Sequence, residues 1–222
     1  IGNRCGRPGR RQRCDVTAAA DCEALAEFAS GEHGRIDLVF ANAGIGAGEA
    51  GPMWTYSMKD WQWCFGVNVW GVVNTINAFM PRLVAQDHES HFTVTGSGNG
   101  AFVVLPDAPI YTATKAAVQA ITENLYYQSV AMKSPVSVHA LFPGPHVVDT
   151  GLFDSDRVRP ESFEKGAPKA FGAVAGVLVT ACESPEANRT LAGGAMGAAG
   201  GAALGALAGN AALGAGIGGA VG

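Results

Sequence analysis

Two side chains with proton-transfer chemistry stand four residues apart at Tyr111 and Lys115. This spacing places both on one face of a helix. A lysine ammonium close to a phenol favours the phenolate, which lowers the pKa of the tyrosine towards neutral pH. The phenol could then exchange a proton with an alcohol or carbonyl oxygen. The same spacing also arises by chance as a solvated helix pair, so both interpretations stay open.

A third candidate, Ser97, precedes Tyr111 in a glycine-rich loop. Its hydroxyl could hydrogen-bond the same substrate oxygen and help to polarise it. The alternative is a serine that caps its own loop. The sequence shows no cluster of histidine and cysteine with the spacing of metal ligands, so it predicts no metal site.

The elements that must position these residues alternate along the chain. Apolar runs predict strands near 36–40, 91–95 and 136–142, and helical patterns cover 18–29, 59–84, with a break near Pro81, and 111–132. This alternation predicts an α/β fold with a doubly wound, Rossmann-like parallel sheet covered on both faces. Ligands of such sheets bind beyond the carboxyl ends of the strands. Asn42, Ser97, Tyr111 and Pro143 all follow predicted strand ends.

The bulk properties of the 222-residue chain suit one domain with appendages. We expect a basic, disordered lead-in at 1–13, the α/β domain at 14–189 and a Gly/Ala-rich tail at 190–222. A net charge of −4 gives no electrostatic reason to expect a nucleic-acid partner. The five cysteines form no C-x-x-C pair and no signal peptide is recognisable, so we expect a cytoplasmic location with the cysteines as small core residues.

Several short motifs accompany the catalytic candidates in a fixed order. They are Asp15-Val16, Asn42-Ala43-Gly44, Asn68 within Val67–Gly71, Ser97 with Tyr111 and Lys115, and Pro143-Gly144 followed by Thr150. This ordered set resembles the short-chain dehydrogenase/reductase family. The resemblance implies that Asp15 and Val16 lie near the adenine and that Asn42, Ala43 and Gly44 line the cofactor ribose. It also implies that Pro143, Gly144 and Thr150 contact the nicotinamide.

The family resemblance implies hydride transfer between NAD or NADP and a small alcohol or ketone. Tyr111 would be the general acid/base, assisted by Lys115, which would also hold the nicotinamide ribose. Ser97 would orient the substrate oxygen, and Asn68 would hold a proton-relay water. The two long helices would build a homo-oligomer interface.

The chain departs from the family pattern at its start. No T-G-x-x-x-G-I-G turn is present, so the first two strands and the pyrophosphate-binding helix are predicted to be absent, and NAD cannot be distinguished from NADP. We therefore expect impaired activity, with a non-catalytic assembly fragment as the alternative. Ser97 is one residue further from Tyr111 than is usual, so Gly98 is the alternative match to the catalytic serine.

Two further segments carry predictions. The family resemblance implies a variable substrate lid at 151–169. The apolar residues there and nearby predict a hydrophobic pocket formed by Leu152, Phe153, Val158, Phe163, Trp54 and Tyr56. A helix is expected at 167–181. In the tail, glycine recurs every four residues from Gly193 to Gly209, which resembles a glycine zipper. Self-association and membrane contact through this tail both stay open.

Overall fold

The computed structural model of the chain describes residues 10–46, 52–144 and 150–163. Five α-helices and three strands organise this part of the chain. The helices are α1 (Ala19–His33), α2 (Met58–Phe65), α3 (Gly71–Ala85), α4 (Gly98–Ala101) and α5 (Pro109–Ala131), and the strands are β1 (Leu38–Ala41), β2 (Ser90–Thr95) and β3 (Val136–Leu141). Short 3₁₀ turns occur at Met53–Thr55, Gly151–Val158 and Glu161–Phe163.

The three strands form a parallel sheet in the order β1-β2-β3. Leu38 is paired with His91, and Ser90 with Val136. Parallel strands require helical crossovers, which α3 and α5 supply in turn. The predicted Rossmann-like α/β fold is therefore confirmed. Parallel pairing also brings the carboxyl ends of all three strands to one edge, where the candidate site residues follow them.

The main core lies between the sheet and the helices α1, α3 and α5. Strand residues at alternate positions, such as Val39, Phe92 and Val138, point into it and are at most 7% exposed. On the opposite face, Leu38 and Phe40 of β1 are 51% and 54% exposed. Within the described residues, the long helices thus bury one face of the sheet more completely than the other.

The long helix predicted for 59–84 is interrupted by a π-helical turn. α2 passes into the π turn Gly66–Trp70, which leads directly into α3. A π turn inserts an extra residue into a helix, and such turns are frequent at functional sites. This one contains Asn68. The predicted break near Pro81 is wrong, since α3 continues to Ala85 with Pro81 inside it.

The predicted disordered lead-in at 1–13 and the tail at 190–222 fall mainly outside the described residues, as does the helix expected at 167–181. No helix in the described part of the chain has the length and apolar character needed to cross a membrane. Two of the cysteines, Cys22 and Cys64, are buried as expected, whereas Cys14 is half-buried.

Candidate functional site

The glycine-rich loop after β2 brings Ser97 to Tyr111. The Ser97 hydroxyl lies near enough to the Tyr111 phenol to lower the pKa of that phenol, and its oxygen accepts a hydrogen bond of 3.2 Å from the main-chain N–H of Asn99. The interpretation of Ser97 as a residue that caps its own loop is therefore confirmed, and its contact with a substrate oxygen stays a prediction. The alternative match, Gly98, has no side chain to offer the phenol.

Gly100 allows this loop to pack against α5. The residue has φ +94°, and a Cβ there would lie 2.6 Å from the Thr112 carbonyl oxygen and 2.7 Å from the Ala116 nitrogen. No residue with a side chain fits such an approach between two main chains. The close contact fixes Ser97 relative to the helix that carries Tyr111 and Lys115.

Lys115 is buried, with 5% of its surface exposed, so the pair with Tyr111 is not a solvated helix pair. Its ammonium donates a hydrogen bond of 2.8 Å to the Thr95 carbonyl oxygen at the end of β2. The same ammonium lies 5.7 Å from the centroid of the Tyr111 ring. The phenol and the ammonium are thus neighbours at the sheet edge, as the spacing predicted.

The prediction that Lys115 lowers the pKa of Tyr111 is wrong. Burial raises the pKa of Tyr111 above its ordinary value; the hydrogen bond from Ser97 acts in the opposite direction, and Cys64 raises it further. Burial also lowers the pKa of Lys115 to about 8, with a smaller opposing effect of Cys64. Desolvation disfavours the charged form of both groups and is the largest cause of both pKa shifts.

Asn68 connects the π turn to the segment after β1. Its side chain is 1% exposed; Oδ1 accepts a hydrogen bond of 2.8 Å from the Ile45 N–H, and Nδ2 donates to the Ile45 carbonyl oxygen at 2.9 Å. Nδ2 also lies 3.0 Å from Thr114 Oγ1 and 3.4 Å from Cys64 Sγ. The amide therefore holds the segment after β1 against the π turn and α5, and the role of Asn68 in holding a relay water stays a prediction.

The turn Asn42-Ala43-Gly44 reaches the same centre. A Cβ at Gly44 would lie 3.5 Å from Asn68 Oδ1 and 3.7 Å from Lys115 Nζ. The Asn42 side chain accepts a hydrogen bond of 2.8 Å from the Thr95 hydroxyl. The structure thus brings Asn42, Gly44, Asn68 and Lys115 into one cluster beside Tyr111.

A cavity of about 290 Å³ extends along the outer edge of β1. Val16, Asn42 and Ala43 line it together with side chains of α1, β1 and α3. Val16 is held there by a hydrogen bond of 2.9 Å from Asn74 Nδ2 to its carbonyl oxygen. Asp15 stands at the surface beside it and accepts hydrogen bonds from the main-chain N–H and the hydroxyl of Thr17. Val16, Asn42 and Ala43 thus line one cavity, and their contacts with a cofactor stay predictions.

The remaining predicted cofactor contacts are less closely connected. Pro143 and Gly144 follow the end of β3, and Gly144 has φ 137°. Thr150 accepts a hydrogen bond of 3.3 Å from the Leu152 N–H and so caps the 3₁₀ turn that follows. The described contacts do not bring Thr150 into the cluster around Tyr111 and Lys115.

An ion pair fastens the segment 150–163 to α2. Arg159 hydrogen-bonds the Asp60 carboxylate, with side chains 9% and 7% exposed, and its guanidinium lies 4.7 Å from the centroid of the Trp63 ring. Burial alone would raise the pKa of Asp60, but hydrogen bonds from Ser57 and Arg159 leave that pKa below its ordinary value. The segment is therefore held by a charged contact that water reaches poorly.

The predicted apolar pocket forms only in part. Tyr56 and Phe163 pack on a second buried cluster of Ile45, Trp63, Cys64 and Ile110. Trp54 and Val158 are 87% and 58% exposed and do not join it, because nothing in the described residues covers them. The side chain of Phe153 lies outside the described residues.

Three residues that sequence reasoning missed also make contacts in the site. Thr95 offers its carbonyl oxygen to Lys115 and its hydroxyl to Asn42. Thr114, fully buried, donates a hydrogen bond of 2.7 Å to the Tyr111 carbonyl oxygen. Ser155 Oγ accepts one of 2.9 Å from the Gly46 N–H. The position of Thr95 at a strand end was the one available signal. The Thr114 bond is local to α5, whereas the Ser155 bond depends on tertiary packing.

Comparison with known proteins agrees with this geometry. A family model described as short chain dehydrogenase matches residues 3–159. The chain is 36% identical over 138 residues to a 1-deoxy-11-beta-hydroxypentalenate dehydrogenase of Streptomyces avermitilis, covering 62% of this chain and 49% of that protein. It is 30% identical over 149 residues to a CLA biosynthesis dehydrogenase/reductase of Lactiplantibacillus plantarum, covering 67% and 50%. The chain thus spans about half the length of these curated relatives.

Solved structures show the same likeness. A short-chain dehydrogenase/reductase of Burkholderia phymatum in complex with NAD superposes with a TM-score of 0.70 at 32% identity, covering 90% of this chain and 68% of that one. An alcohol dehydrogenase of the archaeon Thermococcus sibiricus, complexed with 5-hydroxy-NADP, gives a TM-score of 0.54 at 26% identity, covering 64% and 56%.

Proposed function

The chain belongs to the short-chain dehydrogenase family, and on this premise we propose that it takes part in hydride transfer between NAD or NADP and an alcohol or carbonyl substrate. One observation carries the proposal: the Ser97 hydroxyl acts on the pKa of the Tyr111 phenol, and the Lys115 ammonium lies 5.7 Å from the centroid of the Tyr111 ring. This is the arrangement that proton exchange with a substrate oxygen requires.

The residues present suit a dinucleotide along the sheet edge. Lys115, Asn42 and Gly44 would hold the nicotinamide ribose, with Ala43, Val16 and Asp15 towards the adenine. Pro143, Gly144 and Thr150 would stand near the nicotinamide. The cavity beside Val16, Asn42 and Ala43 supports this placement. Gly44 supports it too, because it has no side chain to obstruct a ligand beside Lys115. When bound, the nicotinamide supplies or accepts the hydride.

Each catalytic side chain has one role in this proposal. Tyr111 acts as general acid/base, and because its pKa is raised, the phenol keeps its proton at neutral pH and suits donation to a carbonyl oxygen. Ser97 orients the substrate oxygen through its hydroxyl. Lys115 supplies positive charge below its lowered pKa. Asn68 acts as a positioning residue through its bonds to Ile45.

The test is turnover of small alcohols and ketones with NAD(H) and NADP(H), followed by nicotinamide absorbance. Tyr111→Phe should lower kcat at least ~100-fold, because general acid–base catalysis contributes about 10²–10⁴-fold. Tyr127→Phe, in an exposed tyrosine of the same helix, is the matched control and should retain activity. Equal activity in Tyr111→Phe and the parent chain would overturn the assignment.

A second candidate function is assembly without catalysis, and an exposed surface of α5 favours considering it. Tyr126, Tyr127 and Val130 are 47%, 68% and 58% exposed, and the adjoining Met132 is 71% exposed. Apolar side chains in this arrangement suit a homo-oligomer contact. Sedimentation of the chain and of a Tyr127→Glu/Val130→Glu variant tests this. A parent chain that is already monomeric would contradict it.

We place the protein in the cytoplasm, with a small-molecule substrate and no nucleic-acid partner. Membrane contact is proposed only through the tail 190–222. Deleting residues 190–222 should leave turnover unchanged and alter self-association or binding to lipid vesicles. Identical behaviour of the deleted and full chains in both assays would remove any role of the tail.

A further inference from the structure

Two thiols that the proposed reaction does not use lie next to each other beside the cavity along the outer edge of β1, here called the outer cavity. Cys14 Sγ and Cys22 Sγ are 3.9 Å apart. Cys22, on the first turns of α1, is 1% exposed, whereas Cys14 is half-buried in the segment before it. A disulfide bond is about 2.05 Å long, so an approach of roughly 2 Å by the two sulfurs would join them.

We propose that Cys14 and Cys22 form a reversible intramolecular disulfide when the chain meets a two-electron oxidant such as hydrogen peroxide. In reducing compartments, disulfides of this kind are transient and sense the redox state. Seven residues separate the two cysteines, so the bond closes a short loop without moving the sheet.

The reaction proceeds in two balanced steps. The Cys14 thiolate attacks one peroxide oxygen, the O–O bond breaks, and the products are Cys14 sulfenic acid and hydroxide. Cys22 then attacks the sulfenic sulfur, an S–S bond forms, the S–O bond breaks, and water leaves with the proton from Cys22. Peroxide accepts the two electrons that the two thiols lose.

Exposure sets the order of these steps. Peroxide reaches Cys14 first because Cys22 is almost fully covered. Burial, and then the charge of a Cys14 thiolate, raise the pKa of Cys22 to about 11, which keeps Cys22 protonated until Cys14 has reacted. Once Cys14 is a neutral sulfenic acid, the repulsive contribution from Cys14 disappears, and Cys22 is the thiol nearest to it among residues 10–46, 52–144 and 150–163.

The bond would act on one wall of the outer cavity. Cys14 directly precedes Asp15 and Val16, and both cysteines line the cavity with Val16. In the reduced chain, the Cys22 thiol donates a hydrogen bond of 3.8 Å to the Val16 carbonyl oxygen. Oxidation removes this donor and fixes the Cys14–Val16 segment to α1. The disulfide thereby controls how freely this wall can adjust to a ligand.

Peptide mass spectrometry of the full chain tests the proposal, because trypsin releases both cysteines in one peptide. Cleavage after Arg13 and Arg35 gives residues 14–35, which contain no other cysteine. After mild peroxide treatment and blocking of free thiols by N-ethylmaleimide under denaturing conditions, this peptide should be unblocked and lighter by two hydrogen atoms. Dithiothreitol should restore two blockable thiols.

Two controls keep the outcome decisive. Cys14→Ser should leave Cys22 reduced under the same dose, whereas Cys64→Ala, in another buried thiol, should leave the bond unaffected. The native chain should form the bond at least several-fold faster than the chain in concentrated urea. Two blocked thiols in peptide 14–35 after peroxide, a link from Cys14 to Cys5 or Cys182 instead, or an equal rate in urea would overturn the proposal.

Discussion

Lys115 donates its hydrogen bond of 2.8 Å to the main-chain carbonyl oxygen of Thr95. The bond ties helix α5 to the end of β2, and the hydroxyl of the same threonine reaches Asn42 beyond β1. Thr95 therefore joins the lysine to the turn that follows the neighbouring strand. The Lys115 ammonium is thus held by the main chain of the sheet.

Burial of Lys115 predicts a specific pH dependence of stability. The folded pKa of about 8 lies below the ordinary value of 10.5, so between these values the unfolded chain binds more protons and the free energy of unfolding rises with pH. From pH 7 to 9.5 this contribution is about 1–2 kcal/mol. Urea unfolding should show that Lys115→Met lacks this rise relative to the parent chain. Parallel pH profiles of the two proteins would contradict a lowered pKa of Lys115 in the folded chain.

The loop that carries Ser97 offers a matched pair of glycines. Gly100→Ala places a Cβ against the main chain of α5 at a positive φ, so we expect a loss of about 2–3 kcal/mol. Gly98→Ala has open space around the new methyl group and should change stability by less than about 1 kcal/mol. Thermal and urea unfolding measure both. Equal losses would show that the close approach at Gly100 is not the constraint.

Asn68 should matter for folding as well as for the site. Asn68→Leu leaves the Ile45 N–H and carbonyl oxygen without their partner in a buried setting, which should cost about 2–4 kcal/mol. Asn124→Leu on the exposed side of α5 removes one hydrogen bond to a main-chain carbonyl and should cost less than about 0.5 kcal/mol. Urea unfolding of both variants provides the comparison. A small loss for Asn68→Leu would mean that the turn does not depend on this amide.

The ion pair of Asp60 and Arg159 predicts a contrast between a buried and an exposed charge. Arg159→Leu leaves the carboxylate buried and should destabilise the chain by about 3–5 kcal/mol. Arg157→Leu breaks an exposed pair with Asp154 and should cost less than about 1 kcal/mol. The measurement is urea unfolding, with limited proteolysis between residues 150 and 163. Similar losses in the two variants would argue against a buried anchor.

The sequence predicted the fold and the neighbours of the site because both depend on local signals. The alternation of apolar runs with helical patterns predicted the parallel sheet. The ends of the strands predicted the edge of the sheet at which Asn42, Ser97 and Tyr111 lie. The sign of the shift in the pKa of Tyr111 could not be obtained this way, because it depends on how deeply tertiary packing buries the phenol. The full set of partners of Asn68 was hidden for the same reason, since Ile45 and Thr114 are distant in sequence. Pro81 shows that a helix breaker can be tolerated when the surrounding helix is well packed.

The most direct test of the central claim is titration of the chain with NADH and with NADPH, following energy transfer from its four tryptophans. The account predicts saturable binding of one or both, with Tyr111→Phe retaining binding but not turnover. The Lys115→Met variant should bind more weakly. Absence of saturable binding at millimolar concentration in the folded chain would contradict the claim that Tyr111 and Lys115 serve a nicotinamide cofactor here.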